Sequence, residues 1–282
     1  MSKSSFCHLH IHSEYSLLEG TCSPAAIAAA AAAAGQEYAA LTDSGVMFGC
    51  AEFIEACEKA GVKPVTGCEI RLEPVGGGGA RSGAPAGFRT GRRYYRLVLL
   101  CENAEGYRNL SYIGAHLETD RGERYVPASL LAERAGGLIA LSGGRGGEIF
   151  EALCAGDVDR AGRAAGFFTG VFGKDSFFVE LTDHKDGTER QLIPSLCALA
   201  KGAGVGVVAT NDVRYTGRDG AELQTALACI REGRTVDSGP GLPTGEYYMK
   251  STAEMEELFG HIPDALSNSV KIAQRCSLPP LY

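Results

Sequence analysis

Apolar residues along this 282-residue chain fall into short runs separated by longer amphipathic stretches. The runs at 6–11, 38–42, 64–70, 96–101, 138–142, 177–181 and 205–210 are rich in Val, Ile, Leu, Phe and Tyr and read as strands. Between and beyond them, positions spaced for a 3.6-residue period predict helices at 24–34, 50–60, 105–117, 127–133, 158–172, 190–202, 220–231, 251–259 and 263–276. Local signals support these boundaries. Ser23 is placed to cap a helix that Pro24 opens and Gly35 closes, and Ser251 with Glu254 fits a capping box. Strands alternating with helices predict a parallel sheet, and seven such units predict a closed or nearly closed α/β barrel. The expected organisation is a single domain over 1–276, with 277–282, which contains Pro279 and Pro280, starting a linker. The glycine-rich stretch 76–85 and the Pro/Gly-bearing stretch 237–247 read as surface loops.

Composition narrows the function. The net charge is -7, with 34 acidic and 27 basic residues, so the chain by itself lacks the basic excess that phosphate-backbone binding needs. The ten cysteines form no CxxC pair and sit singly in apolar runs, which predicts reduced, cytoplasmic thiols packed as small hydrophobes. The Ala-rich run at 25–34 is too short to span a bilayer, so no membrane association is expected.

The candidate chemistry begins at His8-Leu9-His10-Ile11-His12-Ser13. Side chains alternate faces along an extended strand, so the three imidazoles share a face, and two of them suffice to grip one ion. Barrel chemistry collects where strands end. Those ends supply Asp43, Glu69, Arg96, Ser142-Gly143-Gly144, Asp183-His184, and Asn211-Asp212 with Arg214, while Glu19 follows the first strand. His10, His12, Glu69 and Asp212 make a nitrogen and oxygen shell suited to Zn, Mn or Fe, and such an ion would activate water for phosphoester hydrolysis. Asp43 and Asp212 each have an ordinary alternative as a helix cap or loop tie, and His184 as a hydrogen-bonded histidine outside any metal site.

These residues, together with Leu41-Thr42-Asp43, Gly61-Val62-Lys63-Pro64-Val65-Thr66-Gly67-Cys68-Glu69, Val208-Ala209-Thr210-Asn211-Asp212 and Ile262-Pro263-Asp264-Ala265-Leu266, resemble the polymerase and histidinol phosphatase (PHP) domain. The closer resemblance is to the N-terminal PHP domain of bacterial DNA polymerase III alpha subunits. It implies a distorted (β/α)7 barrel and, in active members, three metal ions at the strand ends. Matched position by position, it implies His10, His12, Glu19, Glu69 and Asp212 as metal ligands; Asp43 and His184 stay weaker candidates from their strand-end positions alone. Four positions depart from the active pattern: Ser44, Arg96, Gly144 and Arg214 stand where ligands are expected. One ion position therefore survives and two are incomplete, so the expected cofactor is a single divalent metal (Zn, Mn or Fe) or none. Arg96 and Arg214 are expected to supply the charge that metals supply elsewhere.

The resemblance implies a domain of a DNA-directed DNA polymerase, a nucleotidyltransferase of DNA replication. In this reading the domain supports the rest of the alpha chain and docks a proofreading exonuclease subunit, meeting DNA only through the full-length protein. This fragment alone is expected to be inactive. The alternative is an active metal-dependent PHP phosphoesterase, either a 3′–5′ exonuclease or a small-molecule phosphatase.

Overall fold

The computed structural model describes residues 6–77, 94–120, 122–238 and 242–276. Among the described residues there are eight strands: β1 Tyr38–Leu41, β2 Lys63–Leu72, β3 Tyr95–Cys101, β4 Glu118–Asp120, β5 Glu123–Tyr125, β6 Leu138–Leu141, β7 Phe177–Leu181 and β8 Gly206–Ala209. Six form one sheet in the order β1-β2-β3-β6-β7-β8, and β4 with β5 forms a separate hairpin. β1 pairs β2 in parallel, as β6 pairs β7 and β7 pairs β8. β3 is antiparallel to both β2 and β6. The expected all-parallel sheet is thus corrected to a mixed one. β3 is the strand that runs against its neighbours on both sides.

The first expected strand, 6–11, is an extended segment held by isolated bonds rather than a regular strand. On one side His12 N–H donates to Val213 O (2.8 Å) and Val213 N–H to His10 O (3.0 Å). On the other, Ala40 N–H donates to His8 O (3.0 Å) and Thr42 N–H to Ile11 O (2.8 Å). The segment therefore joins the β1 edge to the chain leaving β8. With it, seven strand positions curl into the distorted barrel, and three histidines lie along the join.

One core cluster lies between the sheet and the helices Glu148–Cys154, Val158–Phe172 and Gly187–Ala203; it includes Ile70, Leu97, Leu99, Phe150, Phe168, Phe177 and Leu181. Residues alternate along the strands, so Glu69 and Glu180 face away from that cluster. Helix Pro263–Arg275 backs the join, with Cys7 N–H donating to Ser269 Oγ (3.0 Å) and Asn268 Nδ2 to Val207 O (2.9 Å). Close backbone approach explains Gly106: a Cβ there would lie 1.8 Å from Gly137 O.

Helix starts follow the sequence signals. Ser23 accepts from Ala26 N–H, and Ser251 and Glu254 form the capping box. The β4–β5 hairpin and helix Glu148–Cys154 are additions the sequence pattern did not give. Of the expected loop 237–247, the last part is not surface: Tyr247 is buried and its carbonyl accepts from Arg214 N–H (2.8 Å). Residues 78–85 and 239–241 of the expected loops, and the expected linker 277–282, lie outside the described residues. No helix among the described residues is long and apolar enough to cross a membrane.

Candidate metal centre

Four side chains from three segments of the chain come together. His10 and His12 come from the joining segment, Glu69 from β2, and Asp212 from the turn after β8. His10 Nε2 and His12 Nε2 are 3.1 Å apart. Glu69 Oε2 lies 3.2 Å from the first and 3.8 Å from the second. Asp212 Oδ1 lies 3.8 Å from the first and 3.3 Å from the second. A tetrahedral ion with bonds of about 2.0–2.1 Å separates its ligand atoms by about 3.3–3.4 Å. The five separations straddle that value. Asp212 takes a left-handed backbone (φ 40°), tolerable for Asp but uncommon outside Gly, and this turns its carboxylate to the cluster.

Outer partners fix the ring tautomers. His10 Nδ1 is 2.7 Å from Glu180 Oε1; a carboxylate only accepts, so Nδ1 carries the hydrogen and Nε2 faces the cluster. His12 Nδ1 is 3.1 Å from Ser16 Oγ. Ser16 has already given its own hydrogen to Asp43 Oδ1 (2.6 Å), so it accepts from His12. Two imidazole lone pairs 3.1 Å apart repel unless a cation lies between them. In the metal-free protein that cation is a proton. Burial opposes charging His10, but Glu180 and Asp212 outweigh it and raise its pKa to about 10. Burial and the neighbouring Arg214 keep His12 neutral.

Three guanidiniums stand against the carboxylates of the cleft. Arg214, almost wholly buried, sits 3.0 Å from Glu19 Oε2 and 2.8 Å from Asp212 Oδ1. The second contact is out of line for a hydrogen bond, which leaves Asp212 Oδ1 without a donor. Arg96 reaches Glu69 Oε1 (3.5 Å), Asp212 Oδ2 (3.5 Å) and Glu19 Oε2 (3.9 Å). Arg231 reaches Glu19 Oε1 (3.3 Å). Burial pushes the Glu19 carboxyl up, yet Arg214 and Arg96 hold it down to about 2. Against the same burial, Arg96 and the protonated His10 hold Glu69, and Arg214 and His10 hold Asp212, well below the usual range. Glu19, Glu69, Glu180 and Asp212 are four negative charges, matched by three arginines and one imidazolium at His10. The metal-free cluster is neutral.

The other expected residues fall as follows. Ser44 Oγ contacts Glu19 Oε2 (2.9 Å), Glu69 Oε1 (3.2 Å) and His12 Nδ1 (3.2 Å). Because His12 Nδ1 already bears a hydrogen, it cannot take a proton from Ser44, and the trio is no nucleophilic triad. Asp43 is not in the cluster: Ser13 N–H, Ser13 Oγ and Ser16 Oγ occupy its oxygens. His184 is also outside, with Nδ1 on Glu189 (2.9 Å), Nε2 on Asn211 O (2.7 Å) and its ring stacked on Tyr247. It braces the turn that carries Asp212. His8 leaves its two companions: its Nε2 donates to Lys250 O (2.8 Å), and burial lowers its pKa to about 4. Gly144 takes a left-handed conformation (φ 51°) beside Glu180 and Thr182. Glu180 and Arg231 were missed by sequence. The available signal for Glu180 was one carboxylate in an otherwise apolar strand; Arg231 looks like an ordinary basic residue in a helix's last turn.

Comparison with known proteins gives these contacts a family. The PHP domain model matches residues 8–184. This chain belongs to the PHP domain family. Over 99% of its length the PHP domain is 38% identical to the DNA polymerase III subunit alpha of Treponema pallidum, and over 96% it is 35% identical to that of Saccharopolyspora erythraea. It spans about a quarter of each, 24%. Among solved structures, an amidohydrolase from Chromobacterium violaceum with bound sulfate and no metal aligns over 81% of this PHP domain and 84% of that chain, with 16% identity and a TM-score of 0.35.

Proposed function

We propose that this PHP domain is part of a DNA polymerase III alpha subunit, that it serves the polymerase as structural support, and that its cleft retains one metal position. The observation that carries the reading is Arg214, buried between Glu19 and Asp212, with Arg96 beside it on the same two carboxylates and Glu69. The two guanidiniums occupy the carboxylates that a second and third ion would need, at positions where the family resemblance expects ligands. Homology over nearly the whole chain to alpha subunits alone among the relatives named supports the polymerase assignment.

His10, His12, Glu69 and Asp212 fit one divalent ion, Zn, Mn or Fe. Their donor set suits any of the three, and the facing Nε2 atoms call for a cation. Bound there, an ion would acidify a water molecule. Around it, Glu180 and Ser16 hold the ring protons, while Arg96, Arg214 and Arg231 already balance the carboxylates. A dication replacing the His10 proton leaves the cluster one charge positive, which weakens its hold. Phosphoester hydrolysis by paired ions clamps both attacking and leaving oxygens, whereas the second group here with ligand spacing, His12, Glu19 and Glu69, shares His12 and Glu69 with the first position and has Arg96 and Arg214 on its carboxylates. We therefore assign the domain no hydrolase activity of its own. The remainder of the alpha chain and a proofreading exonuclease subunit are its proposed partners in the cytoplasm, and the proposed domain extends over 1–276.

The test is metal content by mass spectrometry after chelation and reloading of the full-length protein, with His12→Ala alongside, and hydrolysis of single-stranded DNA by both. At most one equivalent, lost in the variant, with no hydrolysis, is the expected result. Two or more equivalents together with a nuclease activity abolished by His12→Ala would establish the phosphoesterase reading instead.

A further inference from the structure

We infer that Glu180, and Asp43 acting through Ser16, are positioning residues that set how tightly the two histidines hold a metal ion. The inference rests on the single-metal reading above. Neither carboxylate points at the ion position. Each stands behind one ring, and the two differ in how they reach it.

Glu180 lies on β7 with its side chain fully buried. Its Oε1 accepts from His10 Nδ1 (2.7 Å) and also from Thr210 Oγ1. Its Oε2 is buried with no hydrogen-bond partner. A buried carboxylate half left unsatisfied is costly, and packing alone gives no reason to keep one in the strand Phe177–Leu181. Its contact supplies the reason: it fixes the tautomer, orients the ring and makes Nε2 a stronger donor to a cation. Thr210 ties the same oxygen to the segment that carries Asp212, so ligands on opposite sides of the cluster share one anchor.

Asp43 reaches His12 through a hydroxyl. It takes three hydrogens, from Ser13 N, Ser13 Oγ and Ser16 Oγ, at 2.7, 2.7 and 2.6 Å. Ser16 Oγ is thereby turned so that its lone pairs face Ser44 N–H (3.0 Å) and His12 Nδ1 (3.1 Å). The negative charge stands one residue further from the ring than Glu180 does. His10 is therefore the more strongly polarised ligand and His12 the weaker one.

Cobalt(II) titration of the metal-stripped, full-length protein tests this, read by its visible ligand-field absorption. The variants are Glu180→Gln, Asp43→Asn and the milder Thr210→Val, which loosens Glu180 without removing its charge. Glu148→Gln is the control for general destabilisation, since Glu148 is equally buried but grips Val75 N, Gly76 N and Arg160. Glu180→Gln is expected to weaken cobalt binding about 10- to 100-fold and to change the absorption envelope. Asp43→Asn should weaken it less, Thr210→Val least, and Glu148→Gln not at all. Wild-type affinity in Glu180→Gln and Thr210→Val, with cobalt bound normally by the parent, would overturn the inference and leave the metal reading standing. Absence of any cobalt band in the parent would overturn the metal reading itself.

Discussion

Replacing Arg214 with methionine should cost the metal-free protein about 3–5 kcal/mol at pH 7. The side chain is 3% exposed and serves two carboxylates. Removing one partner of a buried ion pair leaves an uncompensated charge, which typically costs about 3–5 kcal/mol. Glu19 gives an independent gauge. Its carboxyl, held at about 2 against an ordinary 4.5, contributes about 3 kcal/mol at neutral pH, since each pH unit of displacement corresponds to about 1.4 kcal/mol. Arg214 is the largest of the charges that hold it there. Because the folded value lies below the unfolded one, this stability is fully present above pH 4.5 and is lost as the pH falls toward 2. Urea unfolding at pH 7, 5 and 3.5 should therefore show a gap between parent and variant that narrows at the lowest pH. Adding a divalent metal should recover part of the loss, since the ion supplies the missing charge. The double variant Glu19→Gln/Arg214→Met should be less destabilised than the two single effects added together. A loss below about 1 kcal/mol at pH 7, or a gap that does not change down to pH 3.5, would refute the view that the arginines hold the cleft together.

Three smaller predictions concern the scaffold. Gly106→Ala should lower stability by about 3 kcal/mol or more, seen as a lower melting temperature, because the added methyl would sit 1.8 Å from Gly137 O. Ser251→Ala should cost about 1 kcal/mol in the same assay, through loss of the capping box on helix Thr252–Phe259. Iodoacetamide at pH 8 should label only Cys154 and Cys197 in the native protein, read by peptide mass spectrometry. All ten cysteines are free thiols, and these two are the only ones partly exposed; burial pushes Cys22, Cys50, Cys57 and Cys101 up to about 12.

The sequence pattern located six of the strands because their apolar runs are short and bounded by turn residues. It misjudged the direction of β3, because pairing direction depends on which side a connection leaves the sheet, and that is a property of the assembled sheet; the other pairs of the six-stranded sheet are parallel as expected. The HxH pattern placed His10 and His12 together correctly, as strand alternation requires. His8 obeyed the same alternation yet left the group, since its ring is taken up by Lys250 O. Asp43 and His184 carried the right chemistry at strand ends but are consumed by neighbours in sequence or space: Ser13 and Ser16 for one, Glu189 and Asn211 for the other. Glu180 lay in plain view within Phe177–Leu181, and its meaning became legible only once β7 stood opposite His10.

The join that closes the barrel has a consequence for how the chain folds. Its pairing sets Ile11 against Val213, so residues near the start of the domain wait for a segment far along the chain. Contacts of such long sequence separation form slowly, and until this one forms, the β1 edge and the chain leaving β8 present unpaired backbone that invites pairing with other chains. The histidines sit on that latch. A variant that weakens them should therefore betray itself first as slower refolding and aggregation, before any chemistry at the cleft is measured.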